Sequence, residues 1–374
     1  MRILMTGGGT GGHVNPALAI ADYFKRMDPT TEIAFVGTSH GIENKLVPRA
    51  GYPLHHIEIQ GVRRSLSLSN LKTLRLAASS IQKARKLLKT FKPDVVIGTG
   101  GYACFPPLFA ASKMKIPTVI HEANAFPGLV VRLLQDKVDL FYINFDDCRK
   151  HLHHPDRPIC VGNPLRQSIS YHSKEEARRE LGIPLDAFYI LSLGGSMGAE
   201  PINFCMLDLM EQFVAGDKTV RHTHATGSLE WEATEKLYRE RGLDKIENAE
   251  LVEYVYDMPL RMAAADLVIN RAGSVTLSEL ALAAKPSVLI PSPNVTDNHQ
   301  FYNAKVLADA DAAILIEEKD LTAEKIVKTV RDLKEDPERL AKMGERAASL
   351  ARTDACEQIY LGVKRLLDER NKRK

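Results

Sequence analysis

Short apolar runs alternate with segments of helical periodicity through most of the chain. In the first half the runs are RILMTG, EIAFVGT, DVVIGTGG, PTVIHE and DLFYINF, and a helix is predicted after the first of them, from about Pro16 to Arg26. Continuous apolar runs are typical of strands buried on both faces, and strands separated by helices form parallel sheets. The pattern therefore predicts an α/β fold built from βαβ units.

The same layout begins again near the middle of the chain. FYILSLGGSMGAEPIN repeats the strand, glycine turn and helix start of RILMTGGGTGGHVNP, and LVEYV, DLVINRAGS and PSVLIPSP follow as further strands. Gly, Asn and Pro interrupt the periodicity at residues 161–166. We predict two Rossmann-like domains, residues 1–162 and 163–374. A charged terminal helix, from about residue 354 to 374, closes the second domain or crosses back to the first.

Composition limits the location and the chemistry. Glycines follow the first six residues, so we expect no signal peptide, and no run reaches 18 apolar residues, so we expect no transmembrane helix. We therefore expect the protein to be cytoplasmic. There is no CxxC, HExxH or DxD-like pattern, so we expect no metal and no other cofactor. The scattered cysteines are expected to be reduced thiols: Cys104, Cys148, Cys160, Cys205 and Cys356.

Charge is distributed unevenly along the chain. Residues 1–160 carry 21 Lys and Arg against 12 Asp and Glu, a net charge of +9, and the remainder carries 29 against 35, a net charge of −6. A basic half favours a polyanionic partner, either nucleic acid or an anionic membrane face, unless surface charge simply segregates. Residues 62–92 interleave Leu and Ile with Lys and Arg and contain no acid. This composition is typical of a membrane-surface segment or of a surface helix packed on the sheet.

The first glycine loop, TGGGTGGHVNP, follows a strand and fits GxGxxG. Glycines allow the backbone to approach a ligand, and the following helix start offers N–H groups to an anion. A nicotinamide enzyme would also place an acid at the end of the second strand, where this chain has Gly37 and Thr38. His13 at the helix start is a candidate general base, or it only caps the helix.

Two further groups follow strands of the first half. IGTGGYACFPP, residues 97–107, is a second glycine loop that holds a pyrophosphate or forms a structural turn. His121, Glu122 and Asn124 come at the end of a strand, where α/β sheets bind ligands.

The second half offers groups suited to a nucleotide sugar. Ser196 precedes a predicted helix and is suited to a phosphate oxygen. Gly273 and Ser274 start another helix, and Glu279 on it could accept both hydroxyls of a ribose, or it is a solvated helix residue. A cluster of amide, imidazole and carboxylate groups is our candidate for sugar recognition: Asp297, Asn298, His299, Gln300 and Asn303.

Together, the motifs GGGTGGHVNP, GGY, HEANAFPG, VGNPLR, GGSMGA, RAGSVTLSE and DNHQFYNA resemble a known family. In this order and spacing, from residue 1 to beyond 340, the chain is similar to the bacterial undecaprenyl-pyrophosphoryl-MurNAc-pentapeptide N-acetylglucosaminyltransferases of glycosyltransferase family 28. The resemblance implies the GT-B fold, which has two Rossmann-like domains with parallel sheets separated by a cleft. It implies inverting transfer of GlcNAc from UDP-GlcNAc to the C4 hydroxyl of lipid I, giving lipid II and UDP in peptidoglycan synthesis.

The resemblance also implies roles for individual residues. The candidate bases are His13 and Glu122, and which of them acts is open. The implied donor-binding residues are Thr10, Gly11, Gly12, Asn124, Arg166, Ser196, Val255 through its backbone, Glu279 at the ribose, and His299 with Gln300 at the sugar. The implied acceptor and pyrophosphate residues are Gly9, Gly100, Gly101 and Tyr102. The chain departs from the family at Ala123 and Met197, where Gln is usual, and at Glu200, where Arg is common.

The implied partners are UDP-GlcNAc, lipid I and the anionic inner-membrane surface, contacted through residues 62–92, with no nucleic acid. The protein is then expected to be peripheral, on the cytoplasmic side of the cell membrane. The alternatives are a glycolipid synthase that transfers a sugar to diacylglycerol, a UDP-GlcNAc 2-epimerase, a nicotinamide-dependent dehydrogenase and a nonenzymatic nucleotide-binding module.

Overall fold

The structure is a computed structural model that describes residues 1–59, 69–166, 172–195 and 197–372. The chain divides into two units, one of Met1–Arg166 with Arg352–Lys374 and the other of Gln167–Ala351. The boundary after residue 166 lies four residues beyond the expected end of the first domain at residue 162. The terminal segment belongs to the first unit.

A parallel sheet forms the centre of the first unit. Its strands are β1 (Arg2–Thr6), β2 (Glu32–Gly37), β3 (Leu54–His56), β4 (Val95–Gly98), β5 (Thr118–Glu122), β6 (Leu140–Ile143) and β7 (Ile159–Cys160). They lie in the order β3-β2-β1-β4-β5-β6-β7. Ile3 pairs with Ile33 on one side and Val95 on the other, and all three side chains are buried, as expected for a sheet covered on both faces.

Helices cover the two faces of this sheet. They are α1 (Gly11–Met27), α2 (Glu43–Arg49), α3 (Ser69–Phe91), α4 (Phe105–Lys113) and α5 (Leu129–Leu134). The predicted start of α1 at Pro16 was wrong, because Thr10 has the extended backbone of an N-cap and the helix begins directly after it. His13 therefore lies on the first helical turn.

Helix α3 includes most of the basic segment at residues 62–92. Residues 62–68 lie outside the described residues. From Ala78 onward, Ser80, Ala84 and Leu88 are buried. The cationic side chains face solvent: Lys83, Arg85, Lys86 and Lys89. This part of α3 is an amphipathic helix whose apolar side packs against the core of the first unit.

The second unit has its own parallel sheet. Its strands are β8 (Phe188–Leu193), β9 (Val220–Ala225), β10 (Ala249–Val252), β11 (Leu267–Asn270), β12 (Ser287–Leu289) and β13 (Ala313–Leu315), in the order β10-β9-β8-β11-β12-β13. Its helices are α6 (Lys174–Leu181), α7 (Glu200–Leu209), α8 (Trp231–Glu240), α9 (Met258–Ala264), α10 (Ser274–Leu282), α11 (His299–Asp309), α12 (Ala323–Glu335) and α13 (Pro337–Ser349). The strand predicted over LVEYV ends at Val252, so Tyr254 and Val255 lie in the loop after it.

The chain ends in α14 (Ala355–Lys372), which packs on the first unit. Ile359 is buried in the same core as Phe24 of α1, and the ring of Tyr360 meets that of Phe24 edge-on at 5.0 Å. Farther along the helix, Arg370 pairs with Asp139 at 2.8 Å. Within the described ranges, no helix is both long enough and apolar enough to cross a bilayer.

Candidate active site

The first glycine loop connects β1 to α1 and places helix N–H groups at the carboxyl edge of the sheet. Thr10 is the N-cap of α1, so Gly11 and Gly12 occupy its first two positions. Backbone N–H groups in the first turn have no partner within their own helix, and the helix dipole gives them a partial positive charge. This loop can therefore bind an anionic or hydroxyl-rich ligand.

His13 lies on the first turn of α1, with its ring oriented by the loop. Its Nδ1 atom is 3.2 Å from the carbonyl oxygen of Gly8 and 3.2 Å from Oγ1 of Thr10. Because a carbonyl oxygen only accepts hydrogen bonds, the contact with Gly8 requires the proton to be on Nδ1. In the neutral ring Nε2 then carries the lone pair, which is the state that a general base needs.

The second glycine loop follows β4 and packs against the first. Gly100 and Gly101 have φ values of +101° and +81°, which favour glycine. A Cβ atom at Gly100 would lie 2.7 Å from Cδ2 of His13, and one at Gly101 would lie 2.5 Å from the oxygen of Gly8. The exposed ring of Tyr102 lies beside Gly9. The structure therefore brings together His13 and the residues expected to contact the acceptor.

Glu43, at the start of α2, connects the first glycine loop to the end of β2. Its Oε2 accepts a hydrogen bond from the N–H of Gly9 at 2.8 Å, and its Oε1 accepts two from the N–H and hydroxyl of Thr38, each at 2.8 Å. The carboxylate is fully buried. Burial opposes its ionisation, but the hydrogen bonds from Gly9 and Thr38 lower its pKa. Sequence reasoning looked for an acid at the end of β2 and missed one five residues beyond Thr38.

Glu122, the last residue of β5, is buried and braces the turn that follows. One oxygen accepts hydrogen bonds from the backbone and side-chain N–H groups of Asn124, at 2.9 and 3.0 Å, and the other accepts the N–H of Gly128 at 2.8 Å. Burial raises its pKa against the effect of these hydrogen bonds. The half-buried Asn124 is therefore oriented by Glu122. Ala123, which stands where the family usually has Gln, is buried.

Arg166 is the last residue of the first unit, where the expected domain boundary had assigned it to the second. Its guanidinium pairs with Asp22 of α1 at 3.0 Å. Asp22 also accepts a hydrogen bond from the hydroxyl of Tyr52 at 2.9 Å.

In the second unit a glycine loop connects β8 to α7. Ser196, within it, lies outside the described residues. Met197 is 65% exposed, and Glu200 is the first residue of α7, where an acid suits the helix dipole. A Cβ atom at Gly194 would lie 2.9 Å from Oδ1 of Asn203, so the buried Asn203 side chain packs closely against this loop.

Asn203 belongs to a buried polar chain that sequence reasoning missed. Oδ1 of Asn203 accepts from Nε2 of His224 at 3.0 Å, Nδ1 of His224 accepts from the hydroxyl of Ser192 at 2.8 Å, and that hydroxyl accepts from Nε2 of His222 at 2.7 Å. Asn203 also donates to the carbonyl of Thr226 at 3.2 Å. Burial lowers the pKa of His224 to about 3, so the chain stays neutral.

Glu279 lies on α10, which begins at Ser274 directly after the loop from β11. The side chain is half-buried, and its carboxylate makes no hydrogen bond or ion pair with the residues that the structure describes. Burial raises its pKa to about 7. A carboxylate in this state can accept hydrogen bonds from a ligand's hydroxyl groups.

The loop before α11 and the first turns of that helix hold the other polar candidates. Nδ1 of His299 donates to the carbonyl of Thr296 at 2.8 Å, which leaves the lone pair on Nε2, and burial lowers its pKa. Oε1 of Gln300 accepts the N–H of Ser292 at 2.9 Å, which directs its amide nitrogen away from that loop. Asn303, also on α11, donates to Ala272 at 3.2 Å and so joins this helix to the start of α10. Val255 is buried between the exposed Tyr254 and Tyr256.

Solved structures of similar fold include glycosyltransferases and epimerases. The chain resembles the crystal structure of Acinetobacter baumannii MurG with a TM-score of 0.78 and 27% identity, over 97% of this chain and 99% of that one. It also resembles the UDP-GlcNAc 2-epimerase of Neisseria meningitidis bound to UDP-GlcNAc, with a TM-score of 0.66 and 16% identity, over 98% and 100% of the two chains. At that identity the second likeness shows the fold alone.

Sequence similarity extends over nearly the whole chain. The chain is 43% identical over 364 residues to the UDP-N-acetylglucosamine--N-acetylmuramyl-(pentapeptide) pyrophosphoryl-undecaprenol N-acetylglucosamine transferase of a Thermoanaerobacter species, covering 97% of this chain and 99% of the relative. It is 41% identical over 367 residues to the enzyme of the same name from Acetivibrio thermocellus, covering 98% of each. Residues 3–143 match the glycosyltransferase family 28 N-terminal domain, and residues 189–359 match the C-terminal domain of that family. The chain therefore belongs to glycosyltransferase family 28.

Proposed function

We propose that this protein transfers GlcNAc from UDP-GlcNAc to the C4 hydroxyl of MurNAc in lipid I, inverts the anomeric carbon, and releases lipid II and UDP. The observation that carries the proposal is the identity of 43% and 41%, over nearly the full length, to relatives named for this transfer. His13 and the two glycine loops of the first unit supply the base and the N–H groups that such a transfer requires.

The second unit supplies groups for the donor. Glu279 accepts the two ribose hydroxyls, and the N–H groups at the start of α10 face the diphosphate. His299 and Gln300 hydrogen-bond to the sugar through Nε2 and the amide nitrogen, because their other polar atoms are occupied within the loop. Ser196 and the backbone of Val255 are assigned to the donor by family resemblance alone.

In the first unit His13 is the proposed base. Its Nε2 takes the proton of the C4 hydroxyl as the oxygen attacks the anomeric carbon, and the bond from that carbon to UDP breaks. UDP leaves with the bonding pair, and helix N–H groups stabilise its charge. Glu122 is the weaker candidate, because both of its oxygens already accept hydrogen bonds from the turn that they hold.

The remaining first-unit groups are proposed to bind the lipid-linked acceptor. The N–H groups of the second glycine loop and the hydroxyl of Tyr102 suit the acceptor's pyrophosphate. The exposed side chains of Lys83, Arg85, Lys86 and Lys89 on α3 suit an anionic lipid surface on the cytoplasmic side, where the nucleotide-sugar donor is available. The protein would then be a peripheral membrane enzyme.

The test is UDP release from UDP-GlcNAc, measured with and without a soluble lipid I analogue in the presence of EDTA. Acceptor-dependent release supports the proposal. Consumption of UDP-GlcNAc that ignores the acceptor would instead indicate a 2-epimerase, and transfer to diacylglycerol would indicate a glycolipid synthase.

The base is tested separately with His13→Ala, using His153→Ala at an exposed position as the control. We expect His13→Ala to lower kcat by about 10²-fold to 10⁴-fold, with little change in the affinity for UDP-GlcNAc. A large loss of affinity at near-normal kcat would remove His13 as the base.

A further inference from the structure

The peptide group between Gly8 and Gly9 is hydrogen-bonded on both of its edges. Its N–H, from Gly9, donates to Oε2 of Glu43 at 2.8 Å, and its C=O, from Gly8, accepts from Nδ1 of His13 at 3.2 Å. In a trans peptide these two groups point in opposite directions. A carboxylate and an imidazole are therefore joined through one planar, polarisable group.

We propose that Glu43 is a positioning residue for His13 and acts on it through the Gly8–Gly9 peptide. The inference rests on the proposed role of His13 as the base. Glu43 holds the proton of the imidazole on Nδ1, so that the lone pair is on Nε2, and it stabilises the imidazolium that forms during transfer.

The electrostatics of this arrangement favour the role. A carboxylate that accepts the N–H of a peptide draws positive charge towards it and increases the negative charge on the carbonyl oxygen, which strengthens the hydrogen bond from His13. Glu43 is ionised, because its bonds to Gly9 and Thr38 lower its pKa despite full burial. When Nε2 takes the acceptor's proton, the Nδ1 proton stays between His13 and Gly8, and Glu43 takes no proton.

The surroundings of Glu43 are shaped to hold a carboxylate in this place. A Cβ atom at Gly8 would lie 2.6 Å from Oε1, one at Gly37 would lie 2.6 Å from Cγ, and one at Gly41 would meet the carboxylate directly. Gly8 of the first glycine loop, Gly37 at the end of β2 and Gly41 just before α2 therefore leave the space that Glu43 fills. The carboxylate receives only backbone N–H and hydroxyl donors here, with no cation among its described hydrogen-bond partners.

Three other titratable groups that the structure describes lie near His13 and have their own contacts. Tyr102 has its ring beside Gly9, and the thiol of Cys104 donates to the carbonyl of Gly100 at 2.8 Å. Cys104 is neutral at physiological pH, because burial raises its pKa to about 12. Glu122 ends the next strand and is engaged with its own turn.

The first test uses the unmodified full-length protein. Its Gly9 amide and the His13 ring are followed by NMR during a pH titration. We expect the amide proton shift of Gly9 to change with the same midpoint as the His13 imidazole. A Gly9 amide that does not respond to the protonation of His13 would overturn the proposal, whatever the behaviour of any variant.

The second test compares Glu43→Gln with Thr38→Val. Thr38→Val removes one hydrogen bond to the same carboxylate and keeps its charge. The carboxylate and the imidazole are separated by one peptide group and two hydrogen bonds, so at an effective dielectric constant of about 20 to 40 loss of the carboxylate should lower the pKa of His13 by about one unit. The acid limb of the log kcat profile then moves by about one unit to lower pH, since His13 must be neutral to act, and the plateau of kcat falls about tenfold.

The two variants separate a charge effect from loop support. The proposal is supported if Glu43→Gln shifts the pKa of His13 and Thr38→Val does not. It is overturned if both lower kcat while the pKa of His13 stays unchanged, because Glu43 would then only support the loop. The two assignments can also fail separately. If His13→Ala retains full activity while Gly9 and His13 titrate together in the unmodified protein, His13 is not the base, but the link from Glu43 to His13 stands.

Discussion

Glu279 is placed where binding and stability should oppose each other. Its carboxylate is half-buried on α10 and has no hydrogen-bonding or ion-pairing partner among the residues described. Burial raises its pKa from an ordinary 4.5 to about 7. Above this pH the free protein therefore holds an ionised carboxylate that the proposed ribose hydroxyls would stabilise.

The magnitude follows from that shift. One pKa unit corresponds to about 1.4 kcal/mol, so the shift sets an upper bound of about 3 kcal/mol, and residual solvent access reduces the expected cost to about 1 to 2 kcal/mol. Because burial raises the pKa of this acid, the cost is absent well below pH 4.5, grows as the pH rises from about 4.5 to about 7, and is nearly complete at pH 8. Glu279→Gln should therefore stabilise the free protein at pH 8 by about 1 to 2 kcal/mol, and the gain should disappear towards pH 4.

Donor binding should show the opposite effect. With a pKa of about 7, Glu279 is about nine-tenths ionised at pH 8 and about one-tenth ionised at pH 6, so the affinity for UDP-GlcNAc should fall about tenfold between them. UDP-GlcNAc is the right ligand, because the free phosphate end of UDP titrates in the same range. Glu279→Gln should bind at least about tenfold more weakly at pH 8 and lose this pH dependence.

Calorimetric binding and thermal unfolding measure both effects, with the exposed Glu345→Gln on α13 as the control. The reasoning fails if Glu279→Gln destabilises the free protein at pH 8. It fails equally if the affinity of the unmodified protein is the same at pH 6 and pH 8.

Three further predictions concern packing. Gly362→Ala would place a Cβ atom against the hydroxyl of Tyr142, so it should loosen α14 and lower the thermal midpoint, and adding Tyr142→Phe should restore it; an unrescued double variant would contradict this packing. His224→Phe should lower the unfolding free energy by about 1 to 3 kcal/mol in denaturant titrations, because it leaves Asn203 without a buried donor, and unchanged stability would refute the polar chain. Gly101→Ala should reduce kcat strongly and cost about 1 to 3 kcal/mol through its φ of +81° and its contact with the first loop, and a fully active, stable variant would refute that contact.

The sequence alone determined the class of fold and most of the chemistry-bearing loops. Apolar runs such as RILMTG and DVVIGTGG are predicted as strands because they are short, contain β-branched residues and end at glycine. Glycine loops must follow parallel strands in such a fold, so the order of residues along the chain is enough to place His13, Gly100 and Glu122 at a common edge of the sheet. The terminal helix expected from about residue 354 to 374 corresponds to α14, Ala355–Lys372.

Tertiary structure decided what lay outside these local patterns. The strands expected from the sequence did not include VRHTHA, yet it forms β9, in which His222 and His224 both hydrogen-bond to the hydroxyl of Ser192. Polar residues can be buried only when partners distant in sequence satisfy them, and a linear pattern does not contain those partners.

The same reason explains why the sequence pointed to Glu122 and not to Glu43. Glu122 was chosen from its place at a strand end, and the structure shows both of its oxygens holding the following turn. The sequence analysis did not single out Glu43, and only the approach of Gly8, Gly37 and Gly41 brings it against the loop that orients His13. Local spacing determines which residues can reach a strand end, and long-range packing determines which of them meet there.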